Sequence, residues 1–342
     1  MCISASKKTT PGVTVAGNQL KLTFWNIHGH KSKLVGDKLS DNEFLNTFRD
    51  DHIVGLVELH TDVTPSIQGF KLIKQKIRKK LHKGPKIAGG LAVFAKLEFA
   101  QMVKPVHNDN DDSIWVKLNK EDTGESKDIY IGTLYLSPGR DGATRDEGRA
   151  SLETFFQESR KFREKGLVVL QGEFHAHTAT LPDFIENDKS DDVLGIENND
   201  KPLIRNSEDK KAPNDRGKLL IDLCQAYDVL IVNGRKTGDI FGNYTSFQWN
   251  GSRVVDYVLT EGNQLQKISD FKVDCFRPWL SDHCPLRYSI SLTRQINQKQ
   301  KQIKLLIPLP IPQTNIIGII HPRKSLKNTW GLRQQKLFFI KL

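Results

Sequence analysis

Polar residues end or interrupt the apolar runs of this sequence. Asn26 closes the run LKLTFWN, and Glu58 ends a second run, HIVGLVE. Tyr135 ends DIYIGTLY just before Ser137-Pro138-Gly139, and Glu173 and His175 follow GLVVLQG. Asp256 sits within SRVVDYVL, and Asp282 and His283 stand in WLSDHCPL before the last apolar run. Burying an unpaired carboxylate is costly, so acids that recur at successive strand ends point to one shared site.

The chemistry such a set supports is phosphodiester hydrolysis. Attack on phosphorus builds negative charge that a divalent cation neutralises, and Mg²⁺, or Mn²⁺ in its place, takes oxygen ligands. Glu58 supplies one, with Asn26 and Asp282 as further metal-site residues. Glu173 is the candidate to activate the attacking water. Asp256 can hold His283 oriented and positively charged against the transition state, and Tyr135 can hydrogen-bond a phosphate oxygen. Each residue also has an ordinary reading: Asn26 as a turn former, Glu58 as a strand end, Tyr135 as a core aromatic, Glu173-Phe174-His175 as loop polarity, Ser281-Asp282-His283 as a capped turn. Their order along the chain raises them together.

The elements that must position these groups follow from periodicity. Near-continuous apolar or β-branched runs predict strands at 20–27, 52–59, 89–96, 112–119, 128–137, 166–172 and 228–234, with three more near 244–248, 253–259 and 284–291. A helix is expected to start at Ser40-Asp41-Asn42-Glu43, with Ser40 as cap. Two more are expected over Asp146–Glu164, with Leu152, Phe155, Phe156 and Ser159 on one side, and over Asp215–Ala226. Too many strands adjoin without an intervening helix for a doubly wound sheet. The order predicts an α/β fold of four layers, two packed mixed β-sheets flanked by helices.

The body spans 19–292, after a polar leader over 1–18 and before a basic tail over 293–342. The formal charge of +11 comes from that tail: Leu292 to Leu342 holds ten Lys/Arg and no acid, which leaves 41 basic against 40 acidic residues elsewhere. Nucleic-acid binding by the body must therefore rest on local patches. The candidate is a loop over Lys71–Lys86 carrying eight basic residues, among them Lys71, Lys74, Lys76, Arg78, Lys79, Lys80 and Lys83. A second long loop, Thr180–Lys210, is acidic in its first half. The four cysteines form no CxxC pair and read as small buried hydrophobes. The start lacks a signal-peptide core, and the proline-broken tail cannot cross a membrane, so an intracellular, non-secreted protein is expected, with the nucleus a natural place for a DNA-acting one.

The strings FWNIHG, VGLVELH, GGLAVFAK, IYIGTLYLSPG, VVLQGEFHAHT, SRVVDYVL and SDHCPL resemble, in order, those of the endonuclease/exonuclease/phosphatase superfamily. Within it the chain looks most like the endonuclease modules of retrotransposons lacking long terminal repeats. The resemblance implies a four-layer α/β sandwich, a principal divalent metal and nicking of DNA to leave a 3′-hydroxyl. It makes Asn26, Glu58 and Asp282 metal-site residues, Tyr135 a phosphate contact, and Asp256 with His283 a dyad. One motif departs: the family's Gly-Asp-Phe/Leu-Asn reads Gly172-Glu173-Phe174-His175 here. Glu is one methylene longer than Asp, which moves the carboxylate by roughly an ångström, and shifts of about that size can cost on the order of 100-fold in rate. The loop is either a decayed copy or an altered working site. The expected partner is DNA, with no obligate protein partner; a reverse transcriptase module, usual after such a domain, has no YxDD-like motif in this chain. A catalytically inactive nucleic-acid-binding module is the alternative, and a phosphatase or phospholipase of the same superfamily the third reading.

Overall fold

Strand alternation decides which side chains meet. The computed structural model describes residues 18–77, 89–139, 142–185 and 204–293. Apart from Asn18 and Thr293, the leader and tail lie outside these residues, as do Arg78, Lys79, Lys80 and Lys83. Along the chain run β1 (Gln19–Asn26), the short β2 (Lys31–Ser32) and β3 (Gly36–Asp37), α1 (Asn42–Thr47), β4 (Ile53–Val57), β5 (Phe70–Lys76), β6 (Leu91–Lys96), β7 (Val103–Val106) and β8 (Ser113–Leu118). Then come α2 (Lys120–Thr123), β9 (Asp128–Tyr135), α3 (Gly142–Arg163), β10 (Gly166–Glu173), α4 (Asp215–Tyr227), β11 (Val229–Ile231), β12 (Ser246–Gln248), β13 (Gly251–Arg253), β14 (Asp256–Glu261), β15 (Ile268–Val273) and β16 (Leu286–Ser291).

Two six-stranded sheets form, in the orders β15-β16-β1-β4-β6-β5 and β11-β14-β10-β9-β8-β7. Each is mixed, with one parallel pair at its centre, β1 with β4 and β9 with β10. Leu20, Leu22, Phe24, Ile53 and Val57 of the first sheet share an apolar cluster with Ile129, Ile131, Val169 and Val258 of the second, so the sheets pack face to face. Residues of opposite parity face outward. Trp25, Val54 and Leu56 pack with Phe44 and Phe48 around α1. Tyr130, Leu134, Val168 and Leu170 pack with Leu152, Phe155 and Phe156 of α3 and with Leu220, Ile221 and Cys224 of α4. Each large apolar side chain buried this way contributes about 1.5–3 kcal/mol. The α/β sandwich expected from the sequence is the fold observed. No helix among the described residues is long and apolar enough to cross a membrane.

Several local expectations change. The basic segment is not a loop over its first part: Phe70–Lys76 is strand β5, paired antiparallel with β6. Lys74 Nζ donates to the Val106 carbonyl at 2.9 Å, and Lys76 Nζ to the Asn110 carbonyl at 2.7 Å. These two lysines therefore clamp the edge of one sheet to the edge of the other, their apolar stems lying along the strand and their heads satisfied by protein; Lys71 is exposed. The cap of α1 is Asp41, whose carboxylate accepts from the Phe44 amide at 2.9 Å, because Ser40 is taken up in the preceding 3₁₀ turn. The stretch SRVVDYVL is two strands, and Asp256 opens the second instead of interrupting one. Cys275 is exposed, against the expectation of burial; Cys224 and Cys284 are buried.

Candidate active site

The site grows from the strand ends by parity. In β1 the inward residues run Leu20, Leu22, Phe24, and the next is Asn26. In β9 and β10 the same count reaches Tyr135 and Glu173, and in β14 it starts at Asp256. Glu173 pairs in register with Tyr135 on one side and with Asp256 on the other, so the three form a row across the centre of their sheet. Asn26 of the opposing sheet reaches across, its amide donating to Glu173 Oε2. Asn26, Glu173 and Asp256 are fully buried, and His283 and Tyr135 nearly so.

Glu58 arrives differently. Continued alternation after Val57 would turn it outward with Leu56. Its backbone instead adopts a left-handed φ of 55°, and its carboxylate takes a hydrogen bond from Tyr135 of the facing sheet. His28, His60 and His175 are also left-handed, at 46°, 53° and 47°. Such conformations cost of order 1–3 kcal/mol each for residues with a Cβ and gather where function holds them.

The segment before β16 is tied to β1. Ser281 Oγ donates to the Asn26 carbonyl at 2.7 Å and accepts the His283 amide at 3.1 Å. Trp25 Nε1 donates to the His283 carbonyl at 2.8 Å. The imidazole that results has Nδ1 2.8 Å from Asp256 Oδ2 and Nε2 3.7 Å from Glu173 Oε1. Burial disfavours its charged form, but the carboxylates of Asp256 and Glu173 outweigh burial and raise His283 to about 10. It stands as an imidazolium at neutral pH.

The carboxylates divide by environment. Burial, with the negative charges of Glu58 and Asp256, pushes Glu173 well above the usual range despite His283 and the Asn26 amide. Burial also opposes ionisation of Glu58, yet hydrogen bonds from His60 and Tyr135 hold it down at about 2. Asp282 is lowered, the hydrogen bond from His28 at 3.1 Å overcoming burial. His175 is lowered to about 3 by burial, so its ring is neutral.

All eight candidate residues of the chemistry meet here: Asn26, Glu58, Tyr135, Glu173, His175, Asp256, Asp282 and His283. Three further side chains were not read from the sequence. His60 Nε2 lies 3.4 Å from Glu58 Oε2, and His28 joins Asp282. Arg216, in the first turn of α4, donates to the Ser137 carbonyl at 2.8 Å, and its charge is felt by Glu173 and Tyr135. The histidines were within two residues of Asn26 and Glu58, a signal that was there to be used; Arg216 carried none.

Among the described residues, the buried side-chain atoms that make no hydrogen bond include three of this site: Glu173 Oε1, His175 Nε2 and Asp256 Oδ1. One ligand atom each from Glu58, Glu173 and His175 lies within 4.8 Å of the others, and so does a second set from Glu173, Asp256 and His283. Orphaned buried acceptors call for a partner. A divalent cation fits the first set, where two carboxylates meet a neutral imidazole. The second already holds a cation in His283.

No protein-family model and no curated protein matches the sequence. Solved structures do match. The chain is similar to the AP endonuclease LMAP from Leishmania major (12% identity, TM-score 0.54, covering 80% of this chain and 88% of that one). It is similar to the APE2 catalytic domain of Xenopus laevis (13% identity, TM-score 0.55, covering 82% and 94%). It is also similar to the endonuclease domain of TRAS1, a telomere-specific non-LTR retrotransposon (14% identity, TM-score 0.50, covering 81% and 100%). At such identities the likeness speaks for the architecture, and by its two packed mixed sheets and their flanking helices this chain has the endonuclease/exonuclease/phosphatase fold.

Proposed function

We propose that this chain is a divalent-metal-dependent phosphodiesterase that nicks DNA, a module of retrotransposon type. The observation that carries the reading is the buried Asp256–His283 pair facing Glu173 across the ends of the two central strand pairs. The structural likeness to AP endonucleases and to a retrotransposon endonuclease domain supports the substrate class.

Glu58, Glu173 and His175 would hold the cation, with Asn26 and Asp282 beside them. When bound, it supplies neutralisation of the charge that builds on the phosphoryl oxygens. His283, fixed by Asp256, presents its Nε2 proton toward the same space and stabilises that charge from the opposite side. Asn26 keeps Glu173 Oε2 in place, which leaves Oε1 as the oxygen that would hold the cation and orient the water beside it. Tyr135 donates to Glu58 and so fixes the rotamer of that carboxylate.

The test is a supercoiled-plasmid assay with and without Mg²⁺ or Mn²⁺. The native chain should nick, and His283→Ala should not. If only Glu173→Asp with His175→Asn nicks, the fold is sound and the loop has decayed into a binding module. Hydrolysis of small phosphate esters without nicking would replace the DNA substrate by a phosphatase one.

A further inference from the structure

His175 supplies the one nitrogen donor of the cation set proposed above. Its Nε2 is buried, makes no hydrogen bond, and lies 3.1 Å from Glu173 Oε1, which makes none either. A left-handed φ of 47° at His175 holds the ring there, its carbonyl pinned by the Asn214 amide at 3.1 Å. Phe174 beside it is buried on the outer face and Glu173 on the inner one, so neither neighbour can turn without breaking a packed layer. Glu58 brings a third ligand atom into the same 4.8 Å cluster. Strain, burial and two missing partners thus converge on one point bounded by two oxygens and one nitrogen.

The geometry points to a mixed nitrogen–oxygen metal centre, Glu58–Glu173–His175, selective for an imidazole-accepting first-row ion such as Mn²⁺, Co²⁺ or Zn²⁺ over Mg²⁺. This rests on reading the site as a metal-assisted centre. The physical reason is ligand preference. Mg²⁺ demands near-ideal octahedral oxygen coordination and keeps much of its water, which a buried site with one imidazole edge cannot accommodate. Imidazole suits the later divalent ions, and their affinity for nitrogen-containing sites rises along the first row.

The decisive measurement is binding, not turnover. The metal-free full chain is titrated with Mn²⁺ and with Mg²⁺ by calorimetry, and the Mn²⁺ complex is examined by electron spin-echo spectroscopy for nitrogen directly bonded to the ion. Mn²⁺ should bind at least about tenfold tighter than Mg²⁺ and show a coordinated imidazole. His175→Asn should lose the nitrogen signal and weaken Mn²⁺ by about tenfold or more while leaving Mg²⁺ unchanged; the second-sphere partners of metal ligands already cost about 10–100-fold when lost. His175→Gln, with its thermal unfolding compared to the native chain, guards against a folding defect, and His60→Asn tests the neighbouring ring. A nitrogen signal that survives His175→Asn, or equal affinities for the two ions, overturns the proposal. An intact nitrogen signal in a chain that never nicks leaves the metal centre standing and removes the nuclease reading; nicking with no nitrogen signal does the reverse.

Discussion

His283 Nδ1 and Asp256 Oδ2 meet at 2.8 Å although one precedes β16 of the first sheet and the other opens β14 of the second. The pair therefore exists only when the sheets are packed in register, and it couples the charge of the site to the assembly of the sandwich.

That coupling has a pH signature. His283 is raised from 6.5 to about 10 in the folded chain. Its contribution to stability is therefore complete below pH 6.5 and is lost as pH climbs through 10. Nicking should fall over the same upper window, and Asp256→Asn should move that falling limb to lower pH while reducing the rate about 10²–10⁴-fold. A pH–rate profile of the two proteins reads this directly; an unmoved limb would mean that another group sets it.

Glu173 works in the opposite sense to an ordinary surface acid. Because burial raises it, the folded chain holds the proton more tightly than the unfolded chain, and this group costs stability as pH rises above its usual 4.5. Glu173→Gln should abolish nicking and yet melt higher than the native metal-free chain at neutral pH, by about 2–4 °C for each kcal/mol relieved. The gap between the two melting curves should widen from pH 4.5 to 7 in the presence of chelator. A constant gap would show that Glu173 ionises as an exposed carboxylate does.

Two glycines separate stability from function. A Cβ on Gly172 would stand 2.5 Å from the Leu134 carbonyl oxygen, so β9 and β10 must part just where Glu173 pairs with Tyr135. A Cβ on Gly132 would press on Phe155 and Trp115 at 2.8 Å, on the helix-covered face. Both alanine variants should lose roughly 1–3 kcal/mol by overpacking. Below both melting temperatures only Gly172→Ala should also lose most of its nicking rate.

The lysines of β5 give a negative expectation. Lys74 and Lys76 spend their ammonium groups on the Val106 and Asn110 carbonyls. Lys74→Ala and Lys76→Ala should lower the melting temperature and leave the slope of DNA affinity against salt within error of the native value. A lost phosphate contact would reduce that slope by about one, which a salt titration resolves.

The sequence by itself determined the layers and named eight polar side chains that meet at the strand ends, while His28, His60 and Arg216 join them only in the fold. Continuous apolar runs such as those around Leu22 and Val169 cannot be exposed on either face, which demands two covered sheets, and acids stranded at the ends of those runs had to share a polar pocket. β5 was hidden because its lysines read as solvated charge; only the second sheet, offering carbonyls at Val106 and Asn110, makes a lysine-rich strand stable at that edge. The outward-to-inward reversal of Glu58 is invisible to alternation, since it needs a left-handed backbone whose cost the Tyr135 and His60 contacts offset. The charge states belong wholly to tertiary structure. Glu58 and Glu173 share one side-chain chemistry and one sequence context, a carboxylate after an apolar strand, yet hydrogen bonds from His60 and, across the sandwich, from Tyr135 hold one low while burial pushes the other up.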